Sequence, residues 1–419
     1  MDLLLRGGLV ACGSEFKRKD ILIADGVVSL VGEALFSPDA EVIDITDKYI
    51  FPGFVDVHVH FREPGFSYKE TIASGAKAAA RGGYTAVCTM PNLDPIPDCA
   101  ENLRPQLEKA AEAAVSVLPY GAITVGEKGE ELADMDALAP LVCAFSDNGK
   151  GVQSAEMMER AMRKAHSLGK IIAAHCEDET LLHGGVVHDG GWARAHGYVG
   201  ICSESEWRPI TRDVELAKKT GCAYHVCHVS TKESVEIIRR TKAEGADVTC
   251  ETAPHYLTLC DEDMREEGRF KMNPPLRSAA DREALLRGLL DGTIDMIATD
   301  HAPHSAEEKS RGLTGSPMGV VGLETAFAVL YTRLVLTGKA SLALLVQKLC
   351  TAPRARFNLG GGAIEVGAQA DLTVFDLDKE YEINPDDFLS KGHATPFAGE
   401  RVRGECILTI AGGKTAWRK

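Results

Sequence analysis

The absences in this sequence narrow the field first. No Cys-x-x-Cys pair occurs, and 12 cysteines are scattered over 419 residues, which is neither a disulfide framework nor a zinc-knuckle spacing. Cys88, Cys143, Cys227 and Cys250 lie in apolar, strand-like runs, a placement that reads as buried thiols in a reducing compartment. Cys222 and Cys227 beside His228 stand as a thiolate-site alternative. No apolar run approaches the roughly 20 residues of a membrane span. The start, Met1-Asp2-Leu3-Leu4-Leu5-Arg6, is too short an apolar run for a secretion signal. Positive charge is in deficit, 46 Lys and Arg against 61 Asp and Glu for a net charge of −15. That argues against nucleic acid or a membrane surface as partner. Repeats and low-complexity linkers are missing too. What survives is a cytoplasmic enzyme acting on a small molecule, with 45% hydrophobic residues to build a sizeable core.

The middle of the chain alternates two textures. Apolar, β-rich runs occur near 54–60, 84–89, 117–122, 142–146, 171–175, 223–228, 247–252 and 294–299. Between them lie segments with helical spacing: 70–81, which stops at Gly82-Gly83, then 155–167, 214–220, 234–244 and 282–291. Eight strands alternating with helices predict an α/β fold, a (β/α)8 TIM-type barrel with catalytic groups at the carboxyl ends of its strands. A doubly wound open sheet is the alternative. Both chain ends have short alternating strands and Gly turns, as in Asp20-Ile21-Leu22-Ile23-Ala24-Asp25-Gly26 and Asp371-Leu372-Thr373-Val374-Phe375-Asp376. Residues 1–52 and 356–419 are therefore expected to form one small β-sandwich domain, and 53–355 the barrel. The glycines at 360–362 lack the strand–loop–helix context of a phosphate loop and read as a turn.

The chemistry gathers at strand ends. In Phe54-Val55-Asp56-Val57-His58-Val59-His60, the histidines two apart share one face of a strand and can hold one metal ion together. His175 ends the fifth run, His228 the sixth and Asp300 the eighth. A histidine at one strand end is usually an ordinary polar cap; five such groups at one rim point to a metal centre. Imidazole and carboxylate donors suit Zn²⁺, with Mn²⁺, Co²⁺ or Fe²⁺ as alternatives. His183, His188 and His196 in the insert 179–206 read as loop histidines.

With these pieces in place the chain resembles the bacterial dihydroorotases of the amidohydrolase superfamily along nearly its full length. The matching segments are His58-Val59-His60-Phe61-Arg62-Glu63-Pro64-Gly65, Met90-Pro91-Asn92, Ala174-His175-Cys176-Glu177, Lys271-Met272-Asn273-Pro274-Pro275-Leu276-Arg277 and Ala298-Thr299-Asp300-His301-Ala302-Pro303-His304. The His-x-His pattern marks only the superfamily; the Phe-Arg-Glu-Pro-Gly and Asn-Pro-Pro-Leu-Arg runs are more specific. The resemblance implies reversible cyclisation of N-carbamoyl-L-aspartate to L-dihydroorotate, a step of pyrimidine synthesis. In the hydrolytic direction a metal-activated hydroxide attacks the ring amide carbonyl and Asp300 is general acid/base. It also implies His58, His60, His175, His228 and Asp300 as metal ligands, and Arg62, Asn92 and His304 as a grip on the substrate carboxylate. Asn273, Met318 and Gly319 would face the substrate ring, with Met318 standing where the family carries Phe. The stretch 301–319 reads as a cover over the site.

One departure stands out. The bacterial class has two consecutive aspartates where this chain has Asp147-Asn148, and the second bridges two metals. Asn148 brings no charge there, so Asp147 is expected as a substitute ligand, with one Zn²⁺ held firmly and a second weakly or not at all. Three readings follow: an active dihydroorotase; another cyclic-amide hydrolase of hydantoinase type; or an inactive relative serving as partner of aspartate carbamoyltransferase. A homodimer is a further expectation.

Overall fold

Phe54–Val59 and Tyr84–Thr89 are buried along their whole lengths, as strands covered on both faces must be. In the computed structural model, which describes residues 2–12 and 15–419, they begin a ring of parallel strands. The ring continues through Ser116–Pro119 and Gly121–Ala122, one run interrupted at Tyr120, then Phe145–Ser146, Ile172–Ala174, Tyr224–Val226, Val248–Thr252 and Met296–Ile297. These fall on the eight predicted runs. Closure comes from a parallel bridge between Val59 and His301, with His60 N donating to His301 O at 2.8 Å. The open-sheet alternative fails at that bridge, because its edges would stay unpaired. Asp56 reinforces the seam: its carboxylate accepts from His58 N at 3.0 Å and from Thr299 N at 3.1 Å. Burial pushes the Asp56 carboxyl up to about 7 despite these bonds.

The helices begin where the sequence offers caps. Thr71 and Ser74 form a capping box for Ile72–Arg81, Ser154 caps Ala155–Ser167, and Ser278 with Asp281 boxes Ala279–Asp291. The predicted segment 214–220 is only the end of a longer helix, Glu204–Thr220, that carries Pro209 inside it. A proline so placed reads in sequence as a breaker. Lys232–Ala243 is capped by Thr231.

Both chain ends enter one mixed sheet. Tyr49–Pro52 pairs with Leu372–Glu382, putting Phe51 opposite Thr373. Leu3–Cys12 branches, pairing with Glu41–Asp44 over its first half and Tyr49–Pro52 over its second. Leu5, Ile21, Ile23, Ile50, Leu372, Val374, Leu408 and Ile410 form its own buried core. The sheet meets the barrel through packed rings, with Phe327 and Phe375 centroids 4.1 Å apart and Phe54 stacked on Phe327 at 5.5 Å. Among the described residues, no helix is long and apolar enough to cross a membrane. Cys88, Cys176, Cys227 and Cys250 are buried free thiols.

Candidate active site

The first barrel strand delivers His58 and His60 to the carboxyl rim, and each ring is oriented by a second residue. His58 Nδ1 meets Glu251 Oε1 at 2.7 Å, and His60 Nδ1 meets Asn92 Oδ1 at 2.8 Å. Those oxygens accept the Nδ1 protons, so the lone pairs sit on Nε2. Both Nε2 atoms face Asp300 Oδ1, at 3.4 Å from His58 and 3.2 Å from His60. His58 Nε2 is buried without a hydrogen-bond partner among the described residues. An orphaned buried acceptor beside a second imidazole and a carboxylate, each ring held by an outer acceptor, is a donor set that fits a divalent cation.

The electrostatics agree. Burial alone would depress the His58 ring, but the Asp300 and Glu251 carboxylates outweigh it and lift the pKa to about 9. Burial disfavours ionised Glu251, yet His58 and His225 hold its carboxyl down to about 2. Asp300 is likewise held below the ordinary range, where His58 and His60 overcome its burial. Both carboxylates are ionised at neutral pH, and the field that favours a proton on His58 Nε2 equally favours a metal cation in the proton's place. The backbone here is unusual as well. Arg62, His228 and Asp300 have φ of 56°, 34° and 50°, left-handed values that side chains other than glycine adopt at a cost.

His175 Nδ1 and His228 Nε2 face each other at 2.8 Å, and the His228 ring lies 5.1 Å from that of His58. Asn148 is buried, its Nδ2 without a partner among the described residues. Asp147 does not take the place expected for it. Its Oδ1 accepts from Ile123 N at 2.7 Å and Thr124 N at 3.1 Å, and its other oxygen is taken by the Thr124 hydroxyl. A carboxylate committed to three donors in the neighbouring loop is a fastening for that loop rather than a ligand.

The expected substrate-facing residues fall into two groups. Arg62 lies 3.5 Å from His304 (Nη2 to Nε2), and its charge reaches His60. Burial brings Arg62 down only to about 10, so it stays cationic. Burial, with Arg62 and Lys69 nearby, brings His304 to about 3. The neutral ring donates from Nε2 to Met318 O at 2.8 Å, and its Nδ1 accepts from Lys69 Nζ at 3.2 Å. Asn273 belongs to the other group: its Nδ2 donates to Glu177 Oε2 at 3.1 Å, 3.4 Å from His175 Nε2. Gly319 has φ +133°, and an added Cβ would lie 2.7 Å from Ala302 O; only glycine fits.

Several working residues escaped the sequence reading. Glu251 sits within a strand, and its signal was a carboxylate flanked by Cys250 and Thr252 with no solvent face to occupy. Glu177 was seen only as part of a motif. Arg277 is structural: it donates to Ser230 Oγ, Ile201 O and Cys202 O, stapling the 179–206 insert to the rim. His188 and His196 are spent inside that insert, the first 3.4 Å from Arg277 and the second stacked on Trp192.

A family model described as dihydro-orotase-like matches residues 47–234. The dihydroorotase of Bacillus cereus (strain AH820) is 51% identical over 403 residues, 96% of this chain and 94% of its own. That of Fusobacterium nucleatum subsp. nucleatum is 50% identical over 417 residues, 99% of this chain and 98% of its own. The chain belongs to the dihydroorotase family. Among solved structures, the L-hydantoinase (dihydropyrimidinase) from Arthrobacter aurescens aligns with a TM-score of 0.88 at 26% identity, covering 100% of this chain and 96% of its own. The D-hydantoinase (dihydropyrimidinase) from Thermus sp. aligns at 0.85 and 26% identity, covering 99% and 95%. This dihydroorotase-family chain is thus a metal-dependent cyclic amide hydrolase, with the barrel and β-domain shared across the cyclic amidohydrolases.

Proposed function

We propose that the protein interconverts N-carbamoyl-L-aspartate and L-dihydroorotate in pyrimidine biosynthesis, in the cytoplasm. The supporting observation is one rim that carries two unlike groups: the His58–His60–Asp300 donor set and, beside it, the buried cation Arg62 with neutral His304. A cyclic ureide without a carboxylate would need the first and leave the second idle, which is why dihydroorotate is favoured over a neutral hydantoin. A divalent cation, which we take to be Zn²⁺, would be held by His58, His60 and Asp300 and would there supply carbonyl polarisation and a more acidic water.

The chain's own residues do the rest. Arg62 receives the substrate carboxylate in a planar two-donor grip, with Asn92 and His304 flanking it. Asn273 and the backbone at Met318 and Gly319 orient the ring. In the hydrolytic direction Asp300 accepts the proton of the attacking water and delivers it to the departing ring nitrogen; in the synthetic direction it carries a proton the opposite way. His175 and His228 would hold a second cation only weakly, because Asn148 offers a dipole where a charge is needed. The deciding experiment is dihydroorotate hydrolysis by purified protein, with metal content measured on the same sample and hydantoin and dihydrouracil as competing substrates. Turnover of the neutral ureides without dihydroorotate would overturn the assignment in favour of a hydantoinase-type activity.

A further inference from the structure

Lys309 is one of the buried cations that this mechanism leaves unused. It closes the short helix Ala306–Lys309, capped by Ser305 and Glu308, and its side chain turns inward. Its Nζ donates to Lys271 O at 3.0 Å, Pro317 O at 3.0 Å and Gly319 O at 2.7 Å. An ammonium has three donors, and all three are used on backbone carbonyls. The acceptors are not scattered. Pro317 and Gly319 flank Met318, and Lys271 stands two residues before Asn273. Lys271 O also accepts from Gly319 N at 3.0 Å, so one carbonyl takes two bonds across the same seam. Lys271 Nζ returns the contact to Thr314 O at 3.1 Å. Burial and the neighbouring Lys271 depress Lys309 to about 7, while three carbonyl dipoles aimed at Nζ favour the charged form.

We infer that Lys309 is a positioning residue for substrate binding, an internal clamp that fixes the backbone at Met318–Gly319 against the loop segment carrying Asn273. The inference rests on the proposed function, since that reading makes both segments substrate-facing. Lys309 itself touches neither the metal donor set nor the carboxylate grip. Its loss should therefore loosen the ring's seat and leave the chemical centre in place, a signature that separates it from Asp300 or Arg62.

The test uses the full-length metal-loaded protein and two variants. Lys309→Met keeps the stem and removes every donor; Lys309→Gln restores two neutral ones. The expected result for Lys309→Met is a KM for dihydroorotate raised about tenfold or more, with kcat within about threefold and metal content unchanged. Lys309→Gln should fall between that variant and the parent. Amide exchange, read by mass spectrometry, should quicken over 313–320 and at Gly319, and stay unchanged around His58 and Asp300. An unchanged KM with unchanged exchange in folded Lys309→Met overturns the inference. So does a fall in kcat and metal content at constant KM, which would mark a residue that supports the metal centre instead. If Lys309→Met does not fold, Lys309→Gln decides by the same two readouts. A parent protein that leaves dihydroorotate untouched would defeat the proposed function, and the exchange comparison would still test the clamp.

Discussion

Asp300 Oδ1 lies 3.4 Å from His58 Nε2 and 3.2 Å from His60 Nε2, and the proposed function makes it ligand and proton carrier from that single position. Asp300→Asn should lower turnover on the order of 10²–10⁴-fold or more while the fold survives; circular dichroism and steady-state rates on one preparation check this, and parental turnover in the folded variant would remove it from the mechanism. Arg62 should act through charge. Arg62→Met is expected to cost dihydroorotate far more than uncharged dihydrouracil, since charge-assisted hydrogen bonds worth about 1.5–3 kcal/mol each are at stake. Equal losses of kcat/KM for both compounds would assign Arg62 another task. Asn148, buried beside Gly149 with its Nδ2 unpartnered among the described residues, should keep the second histidine pair poorly loaded. Asn148→Asp is expected to raise the metal-to-protein ratio from about one toward two, read by elemental analysis after gel filtration in metal-free buffer. Two tightly held ions in the parent would refute this. The histidines gathered at the rim were legible in sequence because each ends an apolar run. Glu251 was not, and Asn92 was expected only at the substrate carboxylate and not as the partner of His60 Nδ1, because an outer acceptor is recognisable only once the ring it steers has been placed.

At the scale of elements, the loop from His301 to Gly319 depends on one exacting backbone position, Gly319. Gly319→Ala would put its Cβ 2.7 Å from Ala302 O and 3.0 Å from His304 Nε2, at φ +133°. The variant is expected to lose about 1–3 kcal/mol of stability and to bind substrate more weakly, with denaturant melts and KM as the measurements; parental values for both would show that the turn has room. The sequence reading expected a cover here. The structure shows a folded lobe with two short helices, Ala306–Lys309 and Gly312–Gly315, pinned by a lysine that charge patterning alone would assign to solvent. Barrel strands were readable even where only two residues pair, as at Phe145–Ser146, since burial on both faces enforces an apolar run longer than the ladder. The start of Glu204–Thr220 was hidden by Pro209, which sits inside the helix, forgoes one of its N–H bonds and reads as a stop from sequence alone.

For the whole molecule, a cation held between the first and last barrel strands should act as a staple. A ligand that binds only the folded state stabilises it by about 2.7 kcal/mol at a hundredfold excess over Kd, which for a chain this long is a Tm shift of about 3 °C. Chelation followed by dialysis should lower Tm by that order, and added Zn²⁺ should restore it. A melting curve indifferent to both would place the ion outside the barrel seam. The seam has a second consequence, one of timing. Asp56 is joined to Thr299 across 243 positions of sequence, and His58 and Asp300 meet at the same junction. A chain emerging from the ribosome presents its histidines early and its aspartate only after the eighth strand. The three-donor set therefore does not exist during most of synthesis, and free thiols and exposed imidazoles of the nascent chain must pass through the cell's metal pool before it forms. On the proposed donor set, capture of a cation would be a late act of maturation, completed when the barrel shuts.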